Sequence, residues 1–187
     1  MLFENLPEGK FRCVEVDPPW QYQDNLPGKG RGATKHYRTL TVAEVAMLPI
    51  PDLAEDDAHL WVWTTNQFMR ETFSLIEHWG FTFKAPLTWG KTTDDGLRPR
   101  IGMGHYLRNN TEHCFMAVRG KLPALSPRNV PSYFLAPRGR HSHKPDEAYR
   151  IIRRVSPGPY LSLFQRTPRE EFVIWGDQAP EGQADAA

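Results

Sequence analysis

A short run of strand-like residues, Phe11-Arg12-Cys13-Val14-Glu15-Val16, leads straight into Asp17-Pro18-Pro19-Trp20. Proline has no N–H and a fixed φ, so two in succession cannot extend a sheet ladder. The chain must therefore end a strand on an acid, followed by a stiff turn and an aromatic ring. In open α/β sheets, ligands bind in the crevice outside the carboxyl ends of the strands. There, the Asp17 carboxylate and a proline-segment carbonyl with no competing donor are two acceptors, and Trp20 is a flat face. Together they suit a planar, amino-bearing heterocycle. The same residues also suit a plain reading, a strand closed by a Pro-Pro turn with Trp20 in the core.

The rest of the chain alternates strands with helices. Thr41, with Glu44 three residues on, forms a capping box for a short helix that Pro49 ends. A strand is expected over 59–65. A helix follows over 67–79, capped by Asn66 and stopped by Gly80, with Phe68, Phe73, Leu75, Ile76 and Trp79 on its apolar face. Further strands are expected over 81–89, 112–118 and 130–135. A helix over 144–155 has Pro145 in its first turn, acids at its start and arginines at its end. Strands over 160–166 and 172–175 close the sheet. This pattern predicts a largely parallel α/β sheet. Residues 21–38 and 92–108 are polar, Gly-rich loops; the first holds Gly28, Gly30 and Gly32 without the helix or Lys-Ser/Thr of a phosphate cradle. Residues 1–178 are expected to form one domain and 179–187 a polar, frayed tail.

Composition excludes several classes. Six Trp, ten Phe and six Tyr in 187 residues argue against disorder. There is no signal-peptide pattern and no apolar run approaching the roughly 20 residues of a membrane span, so a soluble cytoplasmic protein is expected, with no membrane partner. Cys13 and Cys114 read as reduced core thiols. The net charge of +1 hides a block from Arg98 to Arg154 with twelve Lys/Arg against three acids. That block is either a polyanion surface or a solvated basic face.

Several separated blocks, in order, carry a resemblance to the MT-A-70-like family of adenine-N(6) methyltransferases. They are Asp17-Pro18-Pro19-Trp20, Leu60-Trp61-Val62-Trp63 with Thr65-Asn66, and Trp89-Gly90-Lys91. Then come Gly104-His105-Tyr106-Leu107-Arg108 with Thr111-Glu112-His113-Cys114, and Ser142-His143-Lys144-Pro145-Asp146-Glu147. Leu161-Ser162-Leu163-Phe164 with Arg166, and Trp175-Gly176-Asp177-Gln178, complete the series. The resemblance implies an α/β, Rossmann-like methyltransferase sheet, mostly parallel with helices on both faces. Its motif order is permuted, the catalytic tetrad preceding the cofactor-binding strand.

It further implies an S-adenosylmethionine-dependent enzyme acting on the 6-amino group of adenine in nucleic acid. Asp17, Pro18, Pro19 and Trp20 are the expected catalytic residues. Two acceptors on the amine's N–H bonds would pull its lone pair out of the ring. The cofactor would be held by Asp17, Lys144, Arg166, Asp177 and Gln178; Asp177 stands where relatives often carry Asn. The chain begins sixteen residues before Asp17, so an adenine contact that the family makes from an upstream segment would be either absent or rebuilt from Phe3 to Leu6.

Substrate contacts are expected from Tyr37, Arg98, Arg100, Arg108 and Glu112. Tyr37 either meets the flipped base or packs its loop. Glu112 either orients the base-binding loop or pairs with Arg108. One ring of Trp61 and Trp63 is expected in the core. No metal site is expected, since His141 and His143 have no carboxylate or cysteine partners at ligand spacing, and no thiol nucleophile is expected at Cys114. The absence of an RNA-binding module favours DNA, with RNA as the alternative and a homo- or heterodimer compatible with either. A catalytically silent nucleic-acid-binding scaffold is the alternative of another class, against which the intact tetrad and Lys144 argue.

Overall fold

The structure is a computed structural model that describes residues 3–22, 38–104, 106–125, 129–139 and 143–176. Within them, seven strands form one mixed sheet: β1 (Phe11–Val16), β2 (Ala54–Thr64), β3 (Thr82–Thr92), β4 (Thr111–Arg119), β5 (Tyr133–Pro137), β6 (Tyr160–Leu163) and β7 (Phe172–Trp175). The spatial order is β5-β3-β4-β2-β1-β6-β7. Only the pairings of β4, with β2 and with β3, are antiparallel; β1 with β2, β1 with β6, β3 with β5 and β6 with β7 run parallel. Four helices accompany the sheet: α1 (Val42–Ala46), α2 (Ile50–Leu53), α3 (Met69–His78) and α4 (Asp146–Val155).

Side chains alternate across a strand, and the central strands bury both faces. Val14, Val16, Leu60, Val62, Phe115, Ala117, Leu161 and Leu163 join α1, α2 and α3 residues such as Val45, Ile50, Leu75 and Ile76 in one core. Cys13, Trp61, Trp63, Cys114 and Met116 join Ala148, Tyr149, Ile151 and Ile152 of α4 in the other. The expected largely parallel sheet with helices on both faces is thus the fold found. Trp61 and Trp63 stand two residues apart, so both rings point to the α4 face and both are buried, rather than one. No helix among the described residues is long and apolar enough to cross a membrane.

Several boundaries differ from the sequence expectation. Strand β2 begins at Ala54, because α2, a short helix after Pro49, turns directly into it. Helix α3 starts at Met69 behind Phe68, with no side-chain cap. Asn66 is drawn away instead: its Nδ2 donates to Asn109 Oδ1 at 3.0 Å, and its Oδ1 lies 3.0 Å from His113 Nε2. Lys144 precedes α4, whose N-cap is Pro145. Strand β6 stops at Leu163 because Phe164 takes a left-handed turn, φ 67°. The capping box of Thr41 and Glu44 is present as expected.

Candidate active site

β1 lies inside the sheet, with β2 on one side and β6 on the other. Its carboxyl end therefore opens at the point where the chain's progress across the sheet reverses, the usual ligand crevice of an open α/β sheet. Asp17 stands there, its N–H donating to Leu163 O at 3.2 Å. Because β4 runs against its neighbours, its first residues reach the same edge as the last residues of β3. Glu112 pairs in register with Trp89, two residues before Lys91. Lys144, just ahead of α4, arrives from the other side.

These residues form a chain of alternating charge. Lys144 Nζ lies 2.8 Å from Asp17 Oδ1 and 2.9 Å from Glu112 Oε1, and Lys91 Nζ lies 2.7 Å from Glu112 Oε2. The Lys144 side chain is 5% exposed and the Asp17 side chain 26%. Burial alone would lower the Lys144 pKa, but the two carboxylates override it and hold the ammonium charged above its ordinary range. Burial likewise works against ionised Glu112; Lys144 and Lys91 outweigh it and hold that carboxyl at about 2. Burial pushes the Asp17 carboxyl up, further than Lys144 draws it down. The Lys144 ammonium also lies 5.0 Å from the centre of the Trp63 ring. The arrangement holds one partly exposed carboxyl group, oriented by Lys144, at the mouth of the crevice.

The structure brings Asp17, Lys144 and Glu112 together and places Arg166 close enough to stabilise the Asp17 charge. It corrects three expectations. Glu112 pairs with Lys91 and Lys144, not with Arg108, whose Nε donates to Gly102 O at 2.9 Å. Trp20 is not an open platform: its residue is 5% exposed, its ring stacks on Phe68 at 4.8 Å, and its Nε1 donates to Trp63 O at 3.2 Å. Its large apolar ring is better satisfied between two walls of the core, so it braces the turn from beneath. The turn is also tighter than the prolines alone suggested. Pro18 O accepts the Trp20 N–H and Pro19 O accepts the Leu40 N–H, each at 2.8 Å. The Pro18 carbonyl thus has a competing donor and one lone pair left.

Arg98, Arg100 and Arg108 are exposed on the segment between β3 and β4, and Arg100 Nη1 lies 3.5 Å from Asp94 Oδ1. Tyr37, Asp177, Gln178 and His141 lie outside the described residues. Phe3 packs edge-on against Phe164 and Trp175, at 6.5 and 5.9 Å, and Glu4 O accepts from Trp175 Nε1 at 3.0 Å. Phe3 and Glu4 thus pack at the end of β7. His143 is committed to Thr167 Oγ1 and Arg169, each at 3.0 Å. Cys13 and Cys114 are free and buried, with burial raising both thiol pKa values, which suits core thiols rather than nucleophiles.

Sequence reasoning gave no role to Lys91 or to Glu15. The signal for Glu15 was an acid inside an apolar strand. For Lys91 it was position: β3 and β4 are antiparallel neighbours, which places a basic residue after Trp89 opposite the start of β4.

The family model described as MT-A70 matches residues 11–178. The catalytic subunit METTL3 of the Homo sapiens N(6)-adenosine-methyltransferase is 35% identical over 174 residues, 91% of this chain but 28% of that protein. A Drosophila melanogaster N(6)-adenosine-methyltransferase MT-A70-like protein is 34% identical over 84% of this chain and 25% of its own length. The type II methyltransferase M.MunI of a Mycoplasma species is 28% identical over 98% of this chain and 84% of that protein. The chain thus spans only about a quarter of its animal relatives but most of the mycoplasmal one. With the matched region running from the first residue of β1 past the end of β7, the chain belongs to the MT-A70 family.

Proposed function

We propose that this chain transfers a methyl group from S-adenosylmethionine to the 6-amino group of adenine in nucleic acid. The observation that carries the reading is the Asp17 carboxylate at the end of β1, held from behind by Lys144. The donor set suits the cofactor. Lys144 and Arg166 both stand beside Asp17, and cations of this kind suit an amino-acid carboxylate. When bound, S-adenosylmethionine supplies an electrophilic methyl group. Asp17, Lys144, Arg166, Asp177 and Gln178 are the residues that would hold it.

This chain's own part is orientation. Asp17 accepts one N–H of the adenine amine, and the remaining lone pair of the Pro18 carbonyl accepts the other. Both bonds draw the nitrogen lone pair out of conjugation and aim it. That aim is what attack on the methyl group supplied by the cofactor would need, with the C–S bonding pair left on sulfur. The amine's surplus proton passes to Asp17, which it already touches. Positioning and fixed charge then supply most of the rate. Trp20 supports the turn, and the base-stacking surface falls to neighbouring rings. Tyr22, 41% exposed and edge-on to Phe68 at 5.2 Å, is the described candidate, and Tyr37 is the second.

We propose DNA as the polymer, in the manner of a bacterial or phage modification enzyme. The support is the mycoplasmal type II methyltransferase, which is similar to this chain over 98% of the chain and 84% of that protein. Arg98, Arg100, Arg108 and the rest of the basic block would hold the backbone. Incubating the protein with S-adenosylmethionine labelled at the methyl group and matched DNA and RNA oligonucleotides, then analysing nucleosides, tests this. Label in N(6)-methyladenine is expected; label confined to RNA would overturn the choice of polymer, and no label in either would overturn the reaction.

A further inference from the structure

Glu15 is fully buried, two residues before Asp17 on β1 and in register with Ser162 of β6. No cation touches it among the described residues. Its Oε2 accepts from Ser162 Oγ, and its Oε1 accepts from Tyr149 Oη at 3.3 Å. Tyr149 Oη in turn accepts from Gln165 Nε2. Gln165 Oε1 then accepts the backbone N–H groups of Arg166 and Thr167, at 3.0 and 3.3 Å. Every hydrogen bond in this chain points the same way, from the turn after β6 towards the Glu15 carboxylate. The turn starts from Phe164 in a left-handed conformation, which a non-glycine residue holds only when its surroundings fix it.

We propose that Glu15 is a positioning residue of the site: through Tyr149 and Gln165 it fixes the turn that carries Arg166. The chain is built for an acceptor at its end. Two hydroxyl donors converge on Glu15, and hydrogen bonds to an ionised group are about twice as strong as neutral ones. Protonation leaves the geometry possible and weakens each link.

The groups facing Glu15 are Asp17 and Cys13 on its own strand, Tyr149 and Lys144 at α4, and Cys114 on β4. Burial and the neighbouring Asp17 push its carboxyl up to about 7, against the lowering effects of Ser162 and Lys144. The chain is therefore tightened or loosened near neutral pH. A carboxyl raised in the folded state favours folding below its ordinary value and costs stability as pH rises towards 7. Ionised Glu15 thus holds the turn at the expense of overall stability, which separates its role from a purely structural one.

Three proteins test this: wild type, Tyr149→Phe and Glu15→Gln. Tyr149→Phe keeps the ring, over which the Arg169 guanidinium sits at 4.2 Å, and removes the link. Amide exchange at Arg166 and Thr167 should quicken about tenfold, the scale of one lost hydrogen bond. Affinity for S-adenosylhomocysteine, measured by calorimetry, should fall by a similar factor, and in turnover the cofactor KM should rise more than kcat falls. Glu15→Gln should fix affinity at the wild-type value of pH 6 and abolish its rise between pH 6 and 8, while melting higher than wild type at pH 8.

Unchanged exchange at both amides in Tyr149→Phe would overturn the proposal, as would a Glu15→Gln protein that follows the wild-type pH profile. Faster exchange with unchanged affinity would also overturn it, by reducing the chain to scaffolding. The consequence for the cofactor rests on the methyl-transfer reading above; the exchange measurement does not. Wild-type protein that binds no S-adenosyl compound would count against that reading, while quickened exchange would still support the Glu15 chain.

Discussion

Lys144 divides its N–H donors between two carboxylates, and that single fact organises the candidate site. Removing one member of a buried ionic group costs far more than the group contributes, because the partners keep their charges without compensation. Lys144→Met should therefore destabilise the protein by about 3–5 kcal/mol in chemical denaturation, with Asp17 and Glu112 left facing one another. Asp17→Ala should behave differently. Lys144 still has Glu112, so the fold should survive, while methyl transfer should drop at least ~100-fold, by analogy with deleting one preorganised polar group. An Asp17→Ala protein with near-normal turnover would refute its assigned role. Asp17 and Lys144 were legible in the sequence because a strand-ending acid and a lysine opening a helix match a known pattern. The partner of Glu112 was not, since Arg108 is near in sequence while Lys91 is brought to it only by the antiparallel pairing of β4 with β3. Trp20 was misread for a related reason: composition shows a flat ring but not which of its faces the core will cover.

Among elements, the helix α1 and the strand β2 show how local chemistry and distant packing share control. The α1 start was readable outright. Thr41 Oγ1 accepts the Glu44 N–H at 3.2 Å, and Glu44 Oε2 accepts the Thr41 N–H at 2.8 Å. Thr41→Ala should cost about 1 kcal/mol, measurable as a lower denaturation midpoint. The α3 start was not readable, because Asn66, a good N-cap residue by type, is taken by Asn109 and His113 at the start of the neighbouring strand β4.

On β2, His59 is fully buried with Nε2 at 3.0 Å from Leu122 O and Nδ1 at 2.8 Å from Ser156 Oγ. The carbonyl can only accept, so Nε2 carries the proton and Nδ1 accepts from the serine hydroxyl, which itself accepts from Trp61 Nε1 at 2.9 Å. Burial lowers the His59 pKa, the Leu122 hydrogen bond opposing it. A histidine kept neutral in the fold favours folding above its ordinary value of 6.5. Stability should fall as pH drops through that value, and replacing His59 with Gln should flatten this part of the pH–stability curve.

For the whole molecule, the alternation of strands with helices made the α/β class legible, whereas the strand order and the antiparallel β4 depend on long-range pairing that no local pattern carries. The polymer proposed for it is written in a looser code. The basic block contributes charge at Arg98, Arg100 and Arg108 on the exposed segment between β3 and β4, and charge attracts DNA and RNA alike. Neutralising these three together should weaken nucleic-acid binding and lower the slope of log affinity against log salt by roughly one for each phosphate no longer neutralised. Cofactor affinity should not change. An unaltered salt slope would make the block a solvated face. Methyl transfer itself is the decisive measurement: labelled methyl passed from S-adenosylmethionine to matched double-stranded DNA, single-stranded DNA and RNA, by wild type and by Asp17→Ala side by side. N(6)-methyladenine in DNA is expected from the wild type, with single strands favoured where flipping a paired adenine costs a few kcal/mol, and none from the variant. Equal label from the two proteins, or label on an atom other than the adenine 6-amino nitrogen, would contradict the role given to Asp17 and the reaction built on it.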